Sequence, residues 1–493
     1  MEIKEITFGI SQLNPSLIWT YFDQITKIPH PSKKEEKLVQ YLVDFAKEQG
    51  LEVKKDEANN VLIRKKATQG KENLATLILQ SHIDMVCEKN NDVQFDFEKD
   101  AIQTYIDNGW VKAKGTTLGA DDGIGVAAAL AILASKDLEH GNLECLFTTD
   151  EETGLTGAYA LKNDLLTGSI LVNLDTEEEG EFYVGCAGGK NIIATFHYQE
   201  ETTPADYYWF NVQVKGLNGG HSGSEIDKGL GNANKILTRY LWTLMQSYPL
   251  ALAEITGGNL SNAIPREASA VAGIPFASKE KVAINLNILL AEVQAELKAV
   301  DSEVTIIVET ADVPASCIDR DTTEKLLNAL YACPHGVIGM SFEIPGLVET
   351  STNLASVKMT EGNTIVVTTS QRSSTNSLKV DVANMVTSVF KLAGAGVRET
   401  DGYPGWKPNP NSNILKISEK VYKDLFGNTP EIKAIHAGLE CGLFLEKYPH
   451  LDMISCGPTI LGAHSPEERI EIATVEKWWK FLVELLKNIP AFA

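Results

Sequence analysis

Two histidines and several acids are spaced along this 493-residue chain in a way that suits metal ligation. His82 and Asp84 stand two apart in Ser-His-Ile-Asp. Asp121-Asp122 sits between glycines in Thr-Thr-Leu-Gly-Ala-Asp-Asp-Gly-Ile-Gly. Glu151-Glu152 follows Thr-Thr-Asp, Asp175 opens an acidic run, and His464 precedes Ser-Pro. Each has an ordinary reading when taken alone: a surface hydrogen bond, a turn or helix cap, or a solvated loop. Two imidazoles and three carboxylates together suit zinc or a similar divalent ion such as cobalt or manganese, and one carboxylate can bridge two ions. Two ions about 3.5–4 Å apart hold a water, lower its pKa and polarise a substrate carbonyl. A glutamate outside the ligand set can take the proton of that water and pass it to a leaving amine. His82 and Asp84 face the same side of an extended chain, so Asp84 can orient the imidazole from behind.

The elements around these residues give them a common edge. Short apolar runs at 75–79, 143–147, 169–174 and 452–455 read as buried strands, and each leads into one of the candidate ligands. In α/β sheets ligands gather beyond the carboxyl ends of strands. Helical spacing appears at 17–28, behind an Asn14-Pro15 cap with proline at the first helical position, and at 38–45, closed by Gly50. A glycine-started helix at 125–133, and others at 414–426 and 473–489, complete an α/β unit with a mixed, mostly parallel sheet. The middle differs. A strand at 209–215 precedes a long helix at 226–245, and strand 364–370 with helix 380–392 repeats the pattern, as a duplicated α+β domain would. The Gly/Pro-rich stretch 394–410 reads as a return linker. The expected division is a catalytic domain of residues 1–187 plus 398–493, interrupted by an inserted lid of residues 188–397.

At this point the chain resembles a known group. His-x-Asp, Gly-Ala-Asp-Asp-Gly, Glu-Glu, a later Asp and a late His are the pattern of the co-catalytic di-zinc exopeptidases related to aminoacylase and carnosinase. The stretches TTLGADDGIG, TTDEETGLTGA, 174–182, GLNGGHSG, AIHAGLECG and GPTILGAHSPEERI resemble the bacterial aminoacyl-histidine (Xaa-His) dipeptidases, or peptidase D, over nearly the whole chain. The resemblance implies one zinc on His82, Asp121 and Asp175, with Asp121 bridging to a second held by Glu152 and His464. It makes Glu151 the general base and Asp84 the orienter of His82, and it implies a cis Asp121–Asp122 bond. It places His221 of Gly-Gly-His-Ser-Gly on the oxyanion and Asn262 and Arg372 against substrate. Arg372 is also chemically suited to pair with a carboxylate, its ordinary reading being a surface ion pair. Glu440 is a candidate partner for a free substrate amine. Homodimerisation through the lid is expected from the resemblance alone.

Composition bounds the rest. With 44 Lys+Arg against 66 Asp+Glu the formal charge is −22, which disfavours nucleic acid or an anionic membrane as partner. The 43% hydrophobic content fits a globular protein of two to four domains. The stretch after Met1 lacks a basic secretory region, and the longest nearly apolar run, 126–134, is far below the roughly 20 residues of a membrane span. Seven cysteines without a C-x-x-C read as reduced thiols in a cytoplasmic protein, with Cys441 and Cys456 packing rather than reacting. The glycines at 185–190 lack a P-loop's spacing and its Ser/Thr, so nucleotide binding has no support. Two alternatives to the dipeptidase reading are an N-acyl amino acid deacylase of the same clan and a non-catalytic metal-binding protein.

Overall fold

The computed structural model describes residues 9–409 and 411–491. The segment after Met1 and Pro410, at the end of the expected linker, lie outside them. The chain divides into two compact units, one made of residues 1–185, 408–434 and 440–493, the other of 186–407 and 435–439.

The first unit is built on an eight-stranded mixed sheet. Its order is Glu52–Lys55, Val61–Lys65, Leu143–Thr148, Leu77–His82, Ile170–Asn173, Asp452–Ser455, Glu181–Cys186, Glu431–Ile435. The four central strands are the apolar runs seen in the sequence, and they pair in parallel. Leu77–His82, Leu143–Thr148 and Ile170–Asn173 are buried along their whole length, which explains why they read as continuous apolar runs rather than alternating ones. The Ala120–Ala134 helix, buried almost throughout, packs on Ser16–Ile25, where Gly123 admits the Phe22 ring; a Cβ there would lie 3.3 Å from it.

Several boundaries shift from expectation. The strand expected at 75–79 spans Leu77–His82, because Gln80, Ser81 and His82 continue the ladder opposite Leu146, Phe147 and Thr148. His82 is therefore a strand residue, not a loop residue. The first helix starts at Ser16 rather than at proline: Pro15 is extended, with ψ 130°, and the Asn14 carbonyl accepts from Trp19 Nε1 at 3.1 Å instead of Asn14 capping the helix. That helix also ends at Ile25, with a turn carrying the chain to Ile28.

The second unit is a nine-stranded antiparallel sheet covered by the helices Ala233–Ser247, Glu280–Leu297, Arg320–Ala332 and Asn376–Leu392. The repeated strand–helix pattern forms one continuous sheet, its halves joined at a single register pair, Gly257 with Val357. The long helix expected over 226–245 is split into a short 3-10 turn, Ile226–Lys228, and the Ala233–Ser247 helix. Gly229 at φ +70° ends the turn, and the Asn232 side chain caps the helix by accepting from Lys235 N. Within the expected return linker, Gly396–Glu399 is a strand paired with Gly188–His197. None of the seven cysteines forms a disulfide, and all but Cys87 are buried.

Candidate metal centre

All the predicted metal ligands lie in the first unit, and the fold brings them together. His82 ends its strand with a ring almost closed to solvent, and Asp175 follows two residues after Ile170–Asn173. Glu151 and Glu152 follow Leu143–Thr148 through Asp150, held at φ +49°, while His464 sits at φ +62°. Left-handed backbone at residues other than glycine is uncommon, and such positions cluster at functional sites. Asp121 stands at the head of Ala120–Ala134, after Gly119 at φ +71°, and its own φ −83° and ψ 110° place it in a kink before the regular helix. The Asp121–Asp122 peptide is cis, as the resemblance implies.

The ligand atoms fall into two groups that share one residue. His82, Asp121 and Asp175 offer atoms within 4.8 Å of one another, and so do Asp121, Glu152 and His464. His82 Nε2 lies 3.1 Å from Asp121 Oδ1 and 3.4 Å from Asp175 Oδ1. His464 Nε2 lies 3.1 Å from Asp121 Oδ2 and 3.0 Å from Glu152 Oε1. Asp121 thus turns one oxygen to each group, the disposition a bridging carboxylate needs. His82, Glu151 and Glu152 form a further set within the same reach, so Glu151 stands beside both candidate ligand groups.

The charge balance shows what the pocket suits. Burial first, then Asp121, push Asp175 up to about 8 even though His82 opposes them. Burial also drives Glu151 well above the carboxylate range, reinforced by Asp175, Glu440 and Glu152 against His82. The carboxylates of Asp121, Glu151, Glu152 and Asp175 gather around His82 and His464, and divalent cations are the charge that such a donor set accepts.

A second layer fixes these groups. His82 Nδ1 meets the Asp84 main-chain carbonyl at 3.1 Å and its carboxylate at 3.5 Å. The Asp84 carboxylate itself accepts from Glu151 N, Glu152 N and Ser32 Oγ. Burial would raise its pKa, but these bonds and His82 outweigh burial and hold it low. Asp84 therefore serves the Glu-Glu loop as well as His82. Glu35 accepts from Asp150 N at 3.0 Å and steadies the same loop. Beneath the site runs a buried polar chain, in which Gln80 donates to Thr148 and Glu440, Asn173 donates to Gln80, and Ser455 donates to Asn173. The sequence did carry a signal for Gln80 and Asn173: polar residues closing buried apolar runs, each two before a candidate ligand. Glu440 is fully buried, its Oε2 accepting from Gln80 and Thr148 and its Oε1 without a hydrogen-bond partner among the described residues, and burial pushes it up to about 7.

The remaining predicted residues belong to the second unit. The Gly220–His221 strand pairs with Ala263–Ile264, and Ser222 N donates to the Asn262 carbonyl, so His221 and Asn262 are neighbours. His221 Nδ1 accepts from Ser224 N and Gly223 N. Burial and the charge of Arg372 lower its pKa to about 4, and with Nδ1 accepting two amide N–H groups the proton of the neutral ring falls to Nε2. Arg372 is not a surface ion pair: it is buried, Nη1 donates to Tyr403 Oη at 2.9 Å, and Nε has no hydrogen-bond partner among the described residues. His436, unmarked in the sequence reading, is buried beside it, bonded to Ser351 Oγ at 2.7 Å and lowered to about 3 by burial and Arg372.

Comparison with known proteins gives concordant results. Residues 78–488 match the model of peptidase family M20/M25/M40. The chain is 47% identical over 485 residues to the cytosol non-specific dipeptidase of Escherichia coli (strain K12), covering 98% of this chain and 99% of that one. It superposes on the crystal structure of aminoacylhistidine dipeptidase from Vibrio alginolyticus with a TM-score of 0.91 and 46% identity, over 99% of both chains. A tripeptidase from Staphylococcus aureus, 17% identical with a TM-score of 0.56 over 97% of this chain and 99% of that one, shares the fold.

Proposed function

The chain belongs to peptidase family M20/M25/M40, and from that premise we propose a di-zinc dipeptidase that favours Xaa-His dipeptides, β-alanyl-histidine included. The observation that carries this reading is Asp121, placed with one oxygen toward each ligand group and with Glu151 beside both. His82, Asp121 and Asp175 would hold one zinc, and Asp121, Glu152 and His464 the other. Bound there, zinc supplies a low-pKa water and Lewis-acid polarisation of the scissile carbonyl.

The chain's own residues do the rest. Glu151 takes a proton from the attacking water and delivers it to the departing amine, a task for a carboxylate whose pKa is raised by burial. Asp84 fixes both His82 and the Glu151 amide, so ligand and base move together. In the second unit, read as the lid of residues 188–397, the neutral His221 has an Nε2–H to donate to an oxyanion. Asn262 beside it contacts substrate, and Arg372, with an unpartnered Nε, pairs with the terminal carboxylate. The free Oε1 of Glu440 is the acceptor for the substrate amine.

Substrate breadth is decided by a panel, because the relatives' names point two ways, to aminoacylhistidine and to non-specific dipeptides. The expected result is turnover of β-alanyl-histidine and Gly-His above Gly-Gly and Leu-Gly, with N-acylated amino acids untouched. Equal rates across the dipeptides would replace the Xaa-His preference with a broad one, and faster release from N-acyl substrates would favour a deacylase. In the same panel, Arg372→Ala should depress dipeptide turnover far more than turnover of the C-terminal amides; equal losses would exclude carboxylate pairing.

The second unit also supports a homodimer. Ile284 and Ile288, four apart on Glu280–Leu297, are 48% and 56% exposed, and Ile307 on an edge strand is 39% exposed. Light scattering should give twice the chain mass, and a monomer at micromolar concentration would count against it. A cytoplasmic location is supported by the relative named as cytosolic; among the described residues no helix is long and apolar enough to cross a membrane.

A further inference from the structure

Glu468 has no role in the chemistry above, yet its carboxylate is almost completely buried and makes an unusual set of contacts. Its Oε2 accepts from Leu118 N at 2.7 Å and Gly119 N at 3.1 Å. Its Oε1 accepts from Ala120 N at 2.7 Å and Asp121 N at 3.3 Å. Four consecutive main-chain amides therefore converge on one side chain, and the left-handed Gly119 makes that convergence possible. No lysine or arginine forms an ion pair with Glu468 among the described residues. Its oxygens are answered by these amides, which precede the regular part of the Ala120–Ala134 helix because the backbone angles of Asp121 and Asp122 are not helical. Leu118 and Ala120 are buried, so their N–H groups have no water to turn to if the carboxylate leaves.

The position of Glu468 in the chain adds a second link. Four residues earlier, His464 meets Asp121 Oδ2 through its ring. The 464–468 segment thus grips Asp121 twice, at the side chain and at the backbone. We infer that Glu468 is a positioning residue, whose carboxylate sets the 118–121 loop so that Asp121 presents one oxygen to each ligand group. This rests on the metal reading proposed above. The competing role is a clamp that stabilises the helix start and nothing else.

Glu468→Gln and Glu468→Asp separate the two roles. Glutamine keeps the size but turns an NH2 toward amide donors, while aspartate keeps the charge and draws it back by one methylene. Zinc is titrated into the metal-free proteins against a competing chelator, alongside circular dichroism and melting of the metal-free state. Wild type and the exposed-neighbour control Glu467→Gln should both take two equivalents. Glu468→Gln should keep its fold and lose roughly 10–100-fold in affinity for at least one zinc, the range seen when a ligand's supporting bond is removed. Its kcat should fall with KM within about twofold, and Glu468→Asp should recover part of both. Zinc affinity and kcat within about twofold of wild type in the variants, even with a lower melting temperature, would overturn the positioning role. If Glu468→Gln does not fold, Glu468→Asp decides by the same two outcomes. A wild type that binds fewer than two zinc ions would instead overturn the metal reading itself.

Discussion

Glu151→Gln is expected to retain the metal content of the wild type and to lose between about 10²- and 10⁴-fold in kcat, the usual range for a lost general acid–base group. That loss corresponds to roughly 2.7–5.5 kcal/mol of barrier. The expectation follows from where Glu151 stands. Its backbone N–H is tied to Asp84 Oδ1 at 2.9 Å, so the substitution leaves the loop and Glu152 in place. The amide is isosteric with the carboxylate but cannot accept a proton. KM should change little, since the group acts on the reacting atoms rather than on the ground-state substrate. Geometry also offers a competing outcome, because Glu151 can join His82 and Glu152 in a ligand set. If Glu151 were a ligand, the glutamine variant would lose metal and activity in parallel. Metal analysis of the purified variant beside its single-turnover rate distinguishes the two, and turnover within tenfold of wild type would remove Glu151 from the chemistry altogether.

The proposed ligand set was legible because its residue types are unusual where they stand. His82, Asp175 and Glu151-Glu152 each follow an uninterrupted apolar strand, and such strands are recognisable when both faces are buried. The edge strands Glu52–Lys55 and Glu431–Ile435 went unread because they are short, carry charged residues and are not buried, with no periodicity strong enough to separate them from loops. Boundaries failed where tertiary bonds overrule local pattern. Gln80 and Ser81 are polar yet continue a strand because their ladder partners are in place, and the helix expected at 226–245 breaks at Gly229. The roles of Glu35, Glu468 and Ser32 went unread for a different reason. Their importance lies in which backbone amide or carboxylate they meet across tens or hundreds of residues, and no local spacing encodes that. His436 was in a quoted motif, but only its burial beside Arg372 marks it.

Asp121→Ala should abolish binding of both metals, which separates it from every other ligand substitution. Glu152→Ala or His464→Ala removes a ligand from one group only, so each should keep close to one equivalent per chain. Asp121 serves both groups, with Oδ1 at 3.1 Å from His82 Nε2 and Oδ2 at 3.1 Å from His464 Nε2. Its loss leaves the first group with one histidine and one carboxylate and the second with the same, short of the three protein ligands usual for a catalytic zinc. Stability gives an independent readout. A metal that binds only the folded chain stabilises it by RT ln(1 + [L]/Kd), about 4.1 kcal/mol at a thousandfold excess over Kd. Added zinc should therefore raise the melting temperature of the wild type strongly, that of Glu152→Ala less, and that of Asp121→Ala hardly at all. The metal-free proteins supply the baseline that separates this from simple damage to the fold. Retention of two full equivalents by Asp121→Ala would contradict the bridge, and retention of one would mean that Asp121 belongs to a single group, with the carboxylates of Glu151 and Glu152 completing the other.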